Sequence, residues 1–366
     1  MNYYIIAGEA SGDLHASNLM KELKVLDANA KFRCWGGDLM KAQGADLVKH
    51  YRELAFMGFT EVLMNLRTIL SNIDFCKKDI LEHKPDVLIL VDYPGFNLRI
   101  AEFAKAEGIK VFYYISPQIW AWKQSRVHKI KRVVDKMFVI LPFEKEFYQR
   151  FDYPVDFVGH PLLDAVVNYS NEPNTLSVTT DKPIIALLPG RRKQEISAML
   201  PLMLSMKKQY SNYQFVIAGA PSQPKEFYQT FIEDTDVKIV FNQTYQLLQK
   251  AQVAMVTSGT ATLETALFGV PEVVCYKGGA ISFAIAKQLV KVKYISLVNL
   301  IMDKEIVKEL IQNELNETNL KIELDKLLNA DSRNKMLSDY AELTTKLGGA
   351  GASKKTAGLM IDYLKN

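Results

Sequence analysis

The feature that most constrains this chain is a recurring alternation, in which short β-branched and apolar runs are each followed by residues at helical spacing. Such runs occur at Tyr3–Ala7, Lys31–Trp35, Asp86–Val91, Lys110–Ile115, Lys136–Leu141 and Val155–Val158. They resume at Pro183–Leu188, Gln214–Ala218, Val237–Phe241, Val253–Val256 and Glu272–Tyr276. Most are apolar at successive positions, the pattern of parallel strands covered by helices on both faces. The alternation predicts a doubly wound α/β fold. From Val167 to Lys182 it is broken by Asn, Ser, Thr, Asp and Pro, so that stretch reads as a linker. A length of 366 residues suits two domains. The expected organisation is an N-terminal domain over 1–166 and a C-terminal domain over 183–345. The turn Leu347–Ser353 and a last helix, Lys354–Leu364, make up a segment over 346–366 that packs back on the N-terminal domain or on a partner subunit. Two doubly wound domains on one linker should face each other across a cleft, with ligands at the carboxyl ends of the strands.

Several function classes are disfavoured. Cys34, Cys76 and Cys275 are far apart with no C-x-x-C spacing, which argues against a disulfide framework or a zinc site and fits a reducing compartment. The five histidines (His15, His50, His83, His128, His160) have no metal-ligand spacing. Asp234 and Asp236 form a D-x-D in a polar stretch and read as a surface turn, so no metal is expected. The first residues lack the basic and apolar regions of a signal peptide, and no apolar run approaches the ~18–20 residues that span a bilayer, so a soluble or peripheral protein is expected. A net charge of +4 does not imply nucleic acid. Local clusters at Lys123, Arg126, Lys129, Lys131 and Arg132, and at Lys287, Lys291 and Lys293, are either solvated helix faces or surfaces for anionic substrates and headgroups. Phe59, Val62, Leu63, Leu66, Ile69, Leu70 and Ile73 recur at helical spacing, as a core helix or as one lying on a membrane.

Candidate chemistry sits where strands end. Gly8-Glu-Ala-Ser-Gly-Asp13 enters a helix, whose free N–H groups can hold an anion; a tight turn needing Gly is the plainer reading. Asp92 closes a buried strand, where a partly desolvated carboxylate can act as a general base or simply cap the next helix; Glu9 and Asp13 are the next carboxylates to consider. Trp120 and Trp122 stand beside Lys123 and Arg126, and either flank a sugar or acyl chain or plug a domain interface. Gly190 and Arg192 follow a strand in a Pro-Gly turn, where a guanidinium can neutralise phosphate. Ser258, Gly259, Thr260, Ala261 and Thr262 open a helix that a diphosphate can approach, and Glu264 shares the face of Thr260, where it can accept from ribose hydroxyls. His160, near the linker, is the one histidine placed near the expected cleft.

In this order these segments resemble the lipid-A-disaccharide synthase family, glycosyltransferases of the GT-B type. The resemblance runs through Ala7–Asp13, Met57–Leu63, Asp92–Asn97, Ser116–Trp122, Leu141–Glu144, Gly159–Pro161, Leu188–Gly190, Ser258–Glu264 and Ser296–Asn299. It implies a GT-B fold, α/β with two doubly wound Rossmann-like domains, and an inverting, metal-independent reaction without a cofactor. UDP-2,3-diacylglucosamine and 2,3-diacylglucosamine 1-phosphate (lipid X) would give the β-1,6 lipid A disaccharide 1-phosphate and UDP. The setting it implies is the cytoplasmic, anionic inner face of a Gram-negative cytoplasmic membrane, as a peripheral enzyme, with a homodimer left open. Asp92 then matches the family's proposed base. Arg192 and the helix start Gly259–Thr262 are the candidates for leaving-group stabilisation, and Glu264 for the ribose. The remaining candidate substrate contacts are Gly8, Glu9, Ser11, Gly12, Trp120, Arg126, His160, Gly190, Ser258 and Asn299. The chain departs from the family pattern at Gly95, Arg191, Glu272 and Val298. A UDP-sugar 2-epimerase of the same architecture and a non-enzymatic two-domain binding protein are the alternatives.

Overall fold

The structure, a computed structural model, describes residues 1–54, 66–170, 173–233, 235–279 and 292–365. The Met57–Leu63 segment, Phe59, Val62 and Leu63 of the apolar pattern, Asp234, Lys287 and Lys291 lie outside the described residues. The chain forms two compact units, Met1–Pro161 together with Leu347–Asn366, and Leu162–Lys346. The change of unit falls before the polar stretch, because Leu162–Ser170 is a helix of the second unit that buries Leu162 and Leu163.

The first unit holds seven parallel strands, β1 (Asn2–Ala7), β2 (Lys31–Gly36), β3 (Asp46–His50), β4 (Val87–Val91), β5 (Lys110–Tyr114), β6 (Lys136–Val139) and β7 (Asp156–Phe157). Their spatial order is β3-β2-β1-β4-β5-β6-β7. All five residues of β4 are apolar and buried, as a central parallel strand with helices on both faces requires. The terminal helix Ala352–Lys365 packs on helix Ala10–Leu26 of this unit. Lys355 Nζ donates to the Phe157 carbonyl at 2.8 Å, and the Tyr363 hydroxyl to Asp156 at 3.1 Å.

The second unit repeats the plan with β8 (Ile184–Leu188), β9 (Gln214–Gly219), β10 (Lys238–Phe241), β11 (Ala251–Thr257), β12 (Glu272–Tyr276) and β13 (Lys308–Ile311). Their order is β10-β9-β8-β11-β12-β13, again all parallel. One side of this sheet carries a core that includes Ile185, Leu187, Phe215, Val253 and Val273, and the other side one that includes Ala186, Val216, Ala254 and Val256. The predicted doubly wound α/β class is therefore the fold of both units. The strands β3 and β13 carry no apolar alternation, since each is an edge strand with charged residues.

Candidate active site

In each unit the loops gather where the strand order reverses. In the first unit that point lies between β1 and β4, whose register pairs Ala7 with Val91, so Gly8 and Asp92 leave the sheet side by side. Gly8 has no room for a side chain, because a Cβ there would stand 2.3 Å from the Tyr93 ring. Gly12 lets helix Ala10–Leu26 close on β1, where its Cβ would meet that of Ala7 at 3.1 Å. Exposed Glu9 is the N-cap residue of this helix and makes no side-chain cap, so N–H groups of the first turn, beside half-buried Ser11, are not capped by a side chain. Asp13 is not a spare base. Its buried carboxylate accepts from the backbone N–H groups of Gly37 at 2.8 Å and of Leu39 and Met40 at 3.1 Å, fixing the start of the next helix.

Asp92 and Tyr93 are consecutive left-handed residues, with φ of 46° and 49°, and Ile115 at the end of neighbouring β5 has φ of 65°. Such non-glycine conformations cost on the order of 1–3 kcal/mol each and persist where the surroundings over-determine them. The Asp92 carboxyl is pushed up to about 6, first by burial and then by the neighbouring Glu9 carboxylate. A carboxylate with that affinity is a base near neutral pH.

The aromatic segment behaves differently from expectation at one position. Trp120 is only 8 % exposed and packs edge-on against Phe143 at 4.9 Å, so most of its ring belongs to the core and cannot flank a sugar face-on. Trp122 is 54 % exposed, with Lys123 and Arg126 over its ring at 5.6 and 5.3 Å. Beneath this segment Glu144 is buried, which pushes its carboxyl up to about 7 against the hydrogen bonds it accepts, among them that from the Leu141 N–H at 3.0 Å. His160 is buried as well; desolvation and nearby His15 bring it down to about 3, so the imidazole is neutral and supplies no charge to a phosphate. Its backbone N–H donates to the Leu347 carbonyl at 3.3 Å, and the loop thereby braces the returning C-terminal segment.

In the second unit the reversal lies between β8 and β11, where Leu188 pairs with Val256. Gly190, at φ 106°, allows the Glu195 carboxylate to stand 2.9 Å from where a Cβ would be, and that carboxylate accepts from the N–H groups of Arg191 and Arg192. Ser222 and Gln223 hold the Arg191 carbonyl at 3.1 and 3.4 Å; of the two exposed arginines on this loop, Arg192 pairs its guanidinium with Glu195 at 3.4 Å. Across the reversal, exposed Gly259 at φ 149° precedes helix Thr260–Leu267 without a side-chain cap, and exposed Thr260 and half-buried Ala261 form its first turn. Glu264 accepts from the Tyr245 hydroxyl at 3.1 Å; burial raises its carboxyl, and Arg191 partly offsets that.

Three predicted contacts are turned inward. Thr262 is fully buried and its hydroxyl donates to the Gly259 carbonyl at 2.8 Å. Ser258 donates to the Ile295 carbonyl at 2.8 Å. Asn299 is fully buried and saturated: its Oδ1 accepts from Ile306 and Val307, and its Nδ2 donates to the Val307 carbonyl and to Glu309. The buried Asn299 and Thr262 side chains shape the loops, while half-buried Ser258 spends its hydroxyl proton on the Ile295 carbonyl and keeps its oxygen as an acceptor. Tyr245, Glu309, Asn97 and Tyr113 escape sequence reasoning; of these only Asn97, a polar residue one turn into an apolar helix, leaves a visible trace. Among the described residues no cluster of His, Cys, Asp and Glu could hold a metal.

Two doubly wound units of parallel sheet, each with its loops gathered at the strand reversal, define the two-domain Rossmann-like class shared by GT-B glycosyltransferases and related epimerases. A crystal structure of UDP-GlcNAc 2-epimerase from Neisseria meningitidis bound to UDP-GlcNAc superposes with a TM-score of 0.68 at 14 % identity, all of both chains being covered. The glycotransferase of kitacinnamycin superposes with a TM-score of 0.69 at 13 % identity, with 99 % of each chain covered. Sequence resolves what shape alone leaves open. The family described as Lipid-A-disaccharide synthetase matches residues 3–361, and the chain belongs to that family. It is 40 % identical to the lipid-A-disaccharide synthase of Syntrophus aciditrophicus, over 99 % of this chain and 97 % of that one. To the synthase of Psychromonas ingrahamii it is 39 % identical over the same shares.

Proposed function

We propose that this chain joins UDP-2,3-diacylglucosamine to 2,3-diacylglucosamine 1-phosphate, with inversion, to give the β-1,6 lipid A disaccharide 1-phosphate and UDP. The observation that carries the assignment is family membership over residues 3–361; the likeness to epimerases is one of fold, at 14 % identity. In this reading Asp92 takes the proton of the acceptor 6-hydroxyl as its oxygen bonds to the anomeric carbon and the bond to the UDP oxygen breaks. The helix start at Gly259–Ala261 and the guanidinium of Arg192 meet the charge that develops on the diphosphate, with Arg191 a second cation there. Glu264, steadied by Tyr245, accepts from the ribose. Gly8, Glu9, Ser11 and Gly12 line the acceptor side through the open helix start.

The enzyme works as a peripheral protein on the inner face of the cytoplasmic membrane in this reading. Supporting it, no helix among the described residues is long and apolar enough to cross a membrane, while Leu70, Phe75, Leu81 and Trp122 are exposed. Mass spectrometry of the product from both substrates tests the reaction. A disaccharide phosphate formed only with both substrates present is expected; a changed UDP-sugar formed without the acceptor would replace this reading with an epimerase. Because Asp92 must be ionised, kcat/KM is expected to rise through about pH 6, and Asp92→Asn to lower kcat by about 10²–10⁴-fold with UDP binding kept.

A further inference from the structure

We propose that Asn97 and Tyr113 are positioning residues for the reaction, clamping the main-chain carbonyl of Asp92 so that the Asp92–Tyr93 elbow stays in its left-handed conformation and the carboxyl keeps its direction. The inference rests on the reading of Asp92 as the base. The Tyr113 hydroxyl donates to the Asp92 carbonyl oxygen at 2.5 Å, and Asn97 Nδ2 donates to the same oxygen at 2.7 Å. Both lone pairs of that oxygen are therefore taken by side chains from two different elements, β5 and the helix Pro94–Ala106. Asn97 Nδ2 also approaches the Val91 carbonyl at 3.3 Å. Facing two carbonyl oxygens, the amide can present only its NH2 group, which fixes its orientation. Its Oδ1 is left buried without a hydrogen-bond partner among the described residues.

That arrangement is not what packing alone selects. Asn97 is wholly buried one turn into a helix, where Asn is a poor former and an apolar side chain would fill the core without an orphaned acceptor. Tyr113 is equally buried, and its ring alone would satisfy the core. What the two polar groups secure is a backbone that would otherwise relax. Asp92 and Tyr93 are not glycines, yet both sit at positive φ, and the Tyr93 ring occupies the space that Gly8 leaves clear. Other ties on the elbow are the Asn97 N–H to the Tyr93 carbonyl at 3.1 Å, the Asp92 N–H to the Tyr114 carbonyl at 3.2 Å and the Tyr93 hydroxyl to the Leu54 carbonyl at 3.3 Å, all longer than the clamp. Strain held this way at the strand reversal, beside a carboxylate raised by burial, belongs to a group whose direction matters.

The test compares Tyr113→Phe, Asn97→Ala and Asp92→Asn in the full enzyme, with kcat, KM, the pH profile and the melting temperature measured for each. Tyr113→Phe removes one oxygen from a ring that stays in place, so it carries the test even if Asn97→Ala fails to fold. Both variants are expected to lower kcat by about 10–100-fold while KM for the UDP-sugar stays within about twofold. The acid limb should move below pH 6 as the carboxyl relaxes toward water. In the Asp92→Asn background, Tyr113→Phe should cost nothing further, because it acts through that carboxylate. An unchanged kcat and limb in Tyr113→Phe, or a loss of equal size with and without the Asp92 carboxylate, would overturn the clamp while leaving the base in place. Near-normal turnover in Asp92→Asn would instead remove the base itself.

Discussion

Glu272 is a costly residue in the second unit. It opens β12 paired with Ala254, is fully buried, and neither carboxyl oxygen has a hydrogen-bond partner among the described residues. Burial alone holds its carboxyl well above the ordinary value of 4.5, so the folded protein keeps it protonated. The sign of the linkage follows: from about pH 4.5 upward the unfolded chain releases this proton and the folded one does not. Stability therefore falls by up to about 1.4 kcal/mol per pH unit until the group ionises in the folded state. Glu272→Met keeps the length of the side chain and removes both orphaned oxygens. It is expected to raise stability by about 1–3 kcal/mol near pH 5, with a gap over the parent protein that widens toward pH 8. Urea unfolding at several pH values measures this, and a gap that does not depend on pH would mean that Glu272 finds a partner. The residue type and its place at a strand start were plain in the sequence; its isolation was not, since that depends on which neighbours the sheet supplies.

At the scale of elements, the loop proposed to hold the nucleotide in the second unit is held from behind by an edge strand. Glu309 of β13 accepts from the N–H groups of Ile295 and Ser296 at 3.0 and 2.9 Å and from Asn299 Nδ2 at 2.9 Å. Ser296 caps helix Leu297–Met302, and the Ile295 carbonyl in turn accepts from Ser258, which precedes the open helix start. A Glu309→Gln substitution replaces one acceptor with a donor facing backbone N–H groups, so the segment must shift. UDP affinity is expected to fall by about 3–10-fold, in line with losing one hydrogen bond to a charged group in part. Calorimetry that finds UDP affinity unchanged in the folded variant would disconnect β13 from the site. The sequence shows the central strands well because consecutive buried apolar residues leave little alternative: β12 falls at Glu272–Tyr276 in both readings. Strands β3 and β13 are hidden because an edge strand has one neighbour and tolerates charge. The same limit misdirects Asn299 and Thr262, which stand in a motif at the right loop yet turn inward, and it conceals that Asp13 serves as a cap. A motif locates a loop; only the backbone's φ values and its open N–H groups decide which side chains face out.

For the whole molecule the question is where it partitions between water and a lipid surface. Helix Leu66–His83 buries Ile73, Cys76 and Ile80 but leaves Leu70 48 % and Phe75 47 % exposed, as a core reading alone does not require. Arg67 and Lys78, with Ser71 and the acidic Asp74, line the same open groove as Leu70 and Phe75, with an accessible volume of about 510 Å³. Elsewhere in this unit Trp122 is exposed between Lys123 and Arg126. Apolar side chains with two cations against one carboxylate beside them suit an interface that is apolar beneath and anionic above, and the net charge of +4 adds a weak general attraction. Of the apolar pattern expected for this segment, Ile73 packs in the core and Leu70 faces out. Replacing Leu70 and Phe75 together by Ser removes the exposed apolar surface of both side chains, and with it the contact of the Phe75 ring with buried Trp35 at 5.9 Å. The double variant is expected to lose about 5–50-fold in affinity for vesicles containing anionic lipid, from an apolar transfer term of about 25 cal/mol per Å². Its melting temperature is expected to fall as the Phe75 ring leaves Trp35, so vesicle binding is measured well below that transition, where the variant is folded. Val25→Ser is the control, an exposed apolar residue on another helix whose loss should leave vesicle binding unchanged. Sedimentation with liposomes at low and high salt separates the contributions, since salt weakens the cationic part and leaves the apolar part. If the double variant sediments as the parent does, Leu70 and Phe75 do not meet the membrane, and the exposed face of this helix has another use.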